Sequence, residues 1–189
     1  MRHCLRSRAL YPAPGDWLGR LAPALEGRAL RLGLAIRPLE DWWPSALAVL
    51  ATRGAPMPDR QALMEIAIAP RGWREVVTEI AAAFPGAPLT IWSEAFAARP
   101  AAAAALLGVA EDPDAPAEPA PVHNARPEGA ALFTEDEAGA LAEQTETDLA
   151  WLRAGAGGLG RFVEDPDPCP DPCPGPPESA ITDLEEEPQ

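Results

Sequence analysis

The distribution of charge along this chain sets the main limit on what it can fold into. Residues 1–110 carry 12 arginines against 9 acids, whereas residues 111–189 carry 3 arginines against 20 acids. The first part can hold a compact, mildly basic domain. In the second part, 111–129 and 164–189 place proline and acid close together and lack the apolar content that would offset the entropy of ordering them. One helical segment lies between these two stretches. The expected organisation is a core fragment over 1–110, a Pro/acid-rich linker over 111–130, a C-terminal helix over 131–163 docking on the core, and a disordered acidic tail over 164–189.

Composition removes several function classes. All 15 basic residues are arginine, so the lysine of a Walker-type phosphate loop and the lysine of Schiff-base chemistry are both missing. Two histidines and three cysteines, widely scattered, build none of the usual zinc sites, so no metal is expected. A net charge of −14 repels nucleic acid and anionic membrane, and neither is an expected partner. The basic start, Met1 to Arg8, leads into Tyr11-Pro12-Ala13-Pro14-Gly15 and not into the apolar stretch of a signal peptide. No run reaches the length of a membrane span. The odd cysteine count, with Cys4 far from Cys169 and Cys173, argues against a secreted disulfide scaffold. The expectation is a soluble, cytoplasmic protein.

Hydrophobic spacing then predicts the elements. Residues 16–26 read as a short helix capped by Asp16, with Trp17, Leu21 and Leu25 on one face. The apolar run 30–36 reads as a buried strand closed by Arg37-Pro38. A helix over 39–52 follows, with Pro44 expected in its first turn, where a missing N–H costs least. Helices are expected over 59–68, capped by Asp59, and over 71–84, where Trp73, Val76, Val77, Ile80 and Phe84 form an apolar face. Residues 88–92 read as a second strand, followed by helices at 94–98, capped by Ser93, and from Pro100 to Leu107, stopped by Gly108. Thr134 and Glu137 form a capping box, stapled by Phe133 against Ala138, for a helix reaching about Ala154. Leu141, Leu149 and Leu152 face inward, Trp151 flanks them, and Leu159 to Val163 is expected to add one helical turn. Two strands separated and followed by helices predict an α/β fold with parallel strands.

One constellation carries chemistry. In Ile36-Arg37-Pro38-Leu39-Glu40-Asp41-Trp42-Trp43-Pro44-Ser45, a strand ends in arginine and a serine follows eight residues later in the next helix. Open α/β sheets bind ligands at the carboxyl edge of their strands. There an arginine offers a charge-assisted fork to phosphate or sulfate and a serine adds a neutral hydrogen bond. The arrangement resembles the 3′-phosphate site of the sulfotransferase family, which uses 3′-phosphoadenosine 5′-phosphosulfate (PAPS). Leu89 to Phe96, then Arg99-Pro100 and Leu106-Leu107-Gly108, is similar to that family's later strand, acidic turn and helix. Glu146 to Leu152 looks like the C-terminal helix of bacterial sulfotransferase-like proteins. The resemblance spans residues 8–163. It implies a partial P-loop-type three-layer sandwich, with Arg37 and Ser45 binding PAPS or its product 3′-phosphoadenosine 5′-phosphate (PAP).

Departures from the family pattern matter as much. Nothing before Leu30 has the form of the phosphate loop, and no lysine exists to carry over. The family's catalytic histidine has no counterpart, because His3 comes before the Arg/Ser strand by too much and His123 too late. The expectation is a sulfotransferase-like protein that is incomplete or inactive as written, with no catalytic residue assigned. Two further hypotheses stand beside it: a non-catalytic interaction module using its acidic tail, whose protein partner is unknown, and an unrelated enzyme using Glu and Asp. Every singled-out residue also has a plainer role. Arg37 can be solvated or paired with Glu40 or Asp41, and Ser45 can be an ordinary helical serine. Trp42, Trp43, Trp73, Trp92 and Trp151 can be packing residues, and Glu94 a first-turn acid favoured by the helix dipole. His123-Asn124 and Cys169/Cys173 can be solvated, the former otherwise a docking point and the latter otherwise a soft-metal or disulfide pair.

Overall fold

A computed structural model describes residues 4, 7–93, 107–108 and 132–164. Among them the elements run α1 (Pro14–Gly19), α2 (Ala22–Leu25), β1 (Leu32–Ile36), α3 (Leu39–Thr52), α4 (Arg60–Ala67), α5 (Trp73–Ala83), β2 (Leu89–Ser93), α6 (Glu135–Arg153), a 3-10 turn at Ala156–Gly158, and β3 (Arg161–Val163). The strands form one parallel sheet in the order β1-β2-β3. Leu32 stands opposite Leu89, Ile36 opposite Ser93, and Ile91 opposite Phe162. The chain is therefore mixed α/β with parallel strands, as its alternation of apolar runs and helical faces predicts.

Because side chains alternate along a strand, the register sorts the sheet into two faces. Leu32, Leu34, Ile36, Leu89, Ile91 and Phe162 face the main core, where they meet Trp42, Leu47, Ile66, Val77, Leu141 and Leu152. Gly33, Ala35, Thr90, Trp92, Arg161 and Val163 share the opposite face. Gly33 is required there, because a Cβ on it would overlap the Trp92 ring that lies across β1 and come 3.2 Å from Leu107 Cδ1. Each fully buried side chain such as Ile91 or Val77 contributes about 1.5–3 kcal/mol over leaving it in water.

Four elements differ from expectation. The helix over 16–26 is broken into α1 and α2, and Trp17 and Leu21 are 52% and 48% exposed. Arg71 clamps the segment before α1 by donating to the carbonyls of Leu10 and Tyr11, and α1 packs on α5. Asp16 lies within the first turn of α1, and Ala13 holds the cap position in a left-handed conformation. Pro44 sits at the sixth position of α3, so it removes the amide that would bond the Glu40 carbonyl. The segment expected as a last helical turn is β3. Positive φ at Ala156, Gly157 and Gly158 ends the helical path, and the open side of β2 offers the next residues a ladder. The helix expected over 94–98, the helix expected over 100–107 except Leu107, the linker expected over 111–130 and the tail beyond Glu164, with Glu94, His123-Asn124, Cys169 and Cys173, lie outside the described residues, as does His3. Gly108 is described and has φ 65, the left-handed backbone expected of a helix stop.

The caps expected at Asp59 and Thr134 form, whereas the helix expected after Ser93 lies outside the described residues. Asp59 accepts from the Ala62 N–H at 2.8 Å. Thr134 and Glu137 bond each other's backbone N–H groups reciprocally. Phe133 is buried ahead of them, and Ala138 packs on the core. No helix among the described residues is long and apolar enough to cross a membrane.

Candidate functional site

The carboxyl edge of the sheet is built by the ends of three parallel strands. Arg37 follows Ile36 at the end of β1, Ser93 closes β2, and Glu164 follows Val163 at the end of β3. The Ser93 hydroxyl donates to the Glu164 carbonyl at 3.4 Å. The Glu164 carboxylate accepts two 3.1 Å bonds from Arg153 Nε and a further one from Nη2. This exposed fork holds the Glu164 carboxyl below its usual range and raises Arg153.

Two helix N-termini converge behind Arg37. Helix α3 begins at Leu39 after Pro38, and α5 begins at Trp73 after Gly72. Neither Pro38 nor Gly72 has a side-chain oxygen, so neither can cap its own helix. Helix α6 supplies both acceptors. Thr145 Oγ1 accepts from the Leu39 N–H at 2.9 Å and donates to Glu40 Oε2 at 2.8 Å. Asp148 Oδ2 accepts from the Trp73 N–H at 2.6 Å, and Oδ1 from the Arg74 N–H at 3.4 Å. Burial pushes the Asp148 carboxyl above its ordinary range, and the bonds from Trp73 and Arg74 oppose that rise without cancelling it. Gly72 is needed at this cap, because a Cβ there would overlap Asp148 Oδ2. Glu75 completes the turn by accepting from the Gly72 N–H at 2.8 Å.

These contacts also fix Arg37. Trp73 Nε1 donates to the Arg37 carbonyl at 2.8 Å, so the backbone at the end of β1 is tied to α5. Trp73, Trp42 and Tyr11 form an aromatic group beside it, with Tyr11 5.3 Å from Trp42 and 6.0 Å from Trp73 between ring centroids. Trp73 thus packs and also donates a structural hydrogen bond. Trp151 stacks under Arg74 at 5.4 Å.

The two sequence-predicted site residues are placed differently. Arg37 is half-buried at the carboxyl edge. Ser45 is only 7% exposed, one of the buried residues of α3, roughly 9 Å along the helix axis from Leu39 at the usual rise per residue. Its Oγ has no hydrogen-bond partner among the described residues, so the pair is not joined by a direct bond. Thr145 and Asp148 were not singled out from the sequence, although both belong to the buried stripe Leu141, Thr145, Asp148, Leu152. The available signal was a deficit: two helices starting after residues that cannot cap them.

An open cleft of about 1300 Å³ lies at the opposite, amino edge of the sheet, between Arg28, Arg31, Phe84, Pro88 and Leu107. It is remote from the converging helix N-termini, and the chemistry of Arg37 does not reach it. Among the described residues no group of His, Cys, Asp and Glu is arranged to hold a metal ion. The class that fold and edge define is an open parallel α/β sheet with a cationic residue at its carboxyl edge. Comparisons with protein-family profiles, with curated proteins and with solved structures find no match to this chain.

Proposed function

We propose that the protein is a sulfotransferase-like nucleotide-binding module, a partial P-loop-type three-layer sandwich that holds the 3′-phosphate of PAP or PAPS at Arg37. The observation that carries this reading is the position of Arg37, directly after β1 at the carboxyl edge of a parallel sheet, with its backbone held by Trp73. Ligands bind open α/β sheets at that edge. Ser45 is the second contact of the proposed site. Its buried, unpartnered hydroxyl is a group that a hydrogen-bonding ligand would satisfy.

The residues fit the nucleotide in part. Arginine and serine suit a 3′-phosphate, whereas a chain without lysine leaves the 5′-phosphosulfate to arginine or backbone donors. Binding, not sulfuryl transfer, is therefore the proposed activity. The test is calorimetric titration of the 189-residue protein with PAP, with AMP and Arg37→Ala as controls. A charge-assisted hydrogen bond contributes about 1.5–3 kcal/mol, so losing it should weaken binding by about tenfold or more. Absence of PAP binding by a protein that circular dichroism shows to be folded refutes the proposal, as does equal affinity for AMP.

One observation favours a second reading, a non-catalytic interaction module. The Asp148 carboxylate already sits at the N-terminus of α5, where an incoming anion would otherwise be stabilised.

A further inference from the structure

The sequence Tyr11-Pro12-Ala13-Pro14 sets a proline after each of two ordinary residues. A residue before proline prefers an extended or polyproline path. The structure holds both residues elsewhere. Tyr11 has φ 37 and Ala13 φ 47, and Arg8 just ahead has φ 52. All three carry a Cβ, which the left-handed region penalises, and such strain persists only where the surroundings impose it. Arg71 imposes it here. Its Nε donates to the Leu10 carbonyl at 2.7 Å and its Nη2 to the Tyr11 carbonyl at 2.9 Å, while Nη1 is braced on Glu79 at 2.6 Å. Leu10 is fully buried, and Arg8 is paired with Glu65. Beyond the strained stretch the chain is fixed. A Cβ on Gly15 would come 3.3 Å from the Glu79 carbonyl oxygen, so α1 lies tight on α5.

We propose that residues 8–13 are a strained strap, latched by Arg71 over the aromatic group beside Arg37, that opens as a unit while the rest of the fold stays closed. The closed state is the one observed. In the open state Tyr11 and Ala13 relax to the extended path their prolines favour, and Leu10 leaves the core. The strap covers two things. The Tyr11 ring lies against Trp42 and Trp73, and Trp73 holds the Arg37 carbonyl, so opening strips one wall from the carboxyl edge. Cys4, only 4% exposed, is tied to the same stretch, because its carbonyl accepts from the Ala9 N–H at 3.1 Å and from the Ser7 hydroxyl at 3.3 Å. One guanidinium holding two strap carbonyls makes closure all-or-none: the bonds to Leu10 and Tyr11 are lost together or not at all. The proposal does not rest on the nucleotide reading, and no ligand enters its test.

The test is the rate at which excess iodoacetamide alkylates Cys4 in full-length protein carrying Cys169→Ser and Cys173→Ser, which leaves Cys4 as its one thiol. Low urea, well below the unfolding midpoint, should leave this rate almost unchanged, because a local opening exposes little surface. Arg71→Lys keeps the charge but cannot fork to both carbonyls, and should speed alkylation by about tenfold. Ala13→Gly relieves the left-handed backbone and should slow it by about threefold. Exchange of the Trp73 indole N–H, followed by NMR, should change in the same order. Alkylation with the full urea dependence of global unfolding overturns the proposal, because the strap then opens only with everything else. Equal rates in the three proteins overturn it too, because Cys4 then frays alone. A Trp73 indole that ignores both substitutions overturns the claim that the strap covers the edge.

Discussion

Replacing Gly72 by alanine should break the cap of α5 without removing any hydrogen-bonding group. The backbone there, φ −117 and ψ −154, is open to any residue, so alanine brings no conformational strain. Its Cβ, however, would overlap Asp148 Oδ2, and would lie 3.0 Å from Asp148 Cγ and 3.1 Å from Gln144 Nε2. Asp148 can withdraw only by releasing the Trp73 N–H that it holds at 2.6 Å. A buried donor left without an acceptor costs about 1–3 kcal/mol. Alanine returns roughly 0.4–1 kcal/mol by restricting the unfolded chain. The net expectation is a loss of about 1–2 kcal/mol. Asp148→Ala should cost about 2 kcal/mol by the same lost bond. In that background the obstruction is gone, so adding Gly72→Ala should cost nothing or stabilise slightly. The two changes should therefore couple by about 1–2 kcal/mol. Urea unfolding of the four proteins measures this, with an unchanged m-value as the check on two-state behaviour. Additivity within about 0.5 kcal/mol would refute the reasoning, because it would mean that residue 72 does not act through Asp148.

Three further outcomes are expected. Thr145→Val keeps the shape of the side chain but removes the acceptor for the Leu39 N–H, and should lower stability by about 1–2 kcal/mol in the same urea assay. Ser45→Ala removes a buried hydroxyl without a partner, so the ligand-free protein should be as stable or more stable by about 1 kcal/mol; a clear loss would show that the hydroxyl is bonded. Asp148 has its carboxyl raised above the unfolded value of 3.8 by burial, so the folded state binds its proton more tightly than the unfolded chain. Its contribution is then fully present below pH 3.8 and is lost as pH rises through the folded pKa. The stability of wild type relative to Asp148→Asn should accordingly fall as pH increases across that window, and a difference that rises with pH would contradict the assignment.

What could be read from the sequence follows from how local each signal is. Helices α3, α4, α5 and α6 carry their apolar periodicity within themselves, and Asp59 and Thr134 bond amides only three residues away. Strands β1 and β2 are dense apolar runs closed by turn residues. β3 is three residues long and has no such density, because its ladder to Thr90, Ile91 and Trp92 supplies what its own sequence lacks. The spacing of Trp17, Leu21 and Leu25 mimics a buried face, but the chain before α1 is already held to Arg71 and the face turns outward. Thr145 and Asp148 are polar residues on a helix rich in acid, so composition assigns them to solvent. Their partners are 106 and 75 residues away, beyond the range of any window. Arg37 could be placed at a strand end from sequence, while the inward aim of Ser45 depends on how α3 packs.

The same long reach sets an order on the birth of this protein. As the chain is synthesised, Pro38 and Gly72 leave the ribosome well before Thr145 and Asp148 exist. Through that interval the first turns of α3 and α5 have only water to accept their amides, and the surfaces α6 will cover stay open. The nascent N-terminal part should therefore remain soft and protease-sensitive until α6 is made, then close in one step. Arrested nascent chains ending before and after α6, probed by brief proteolysis, should differ sharply in resistance. A molecule that keeps its clasps in α6 cannot begin to fasten early.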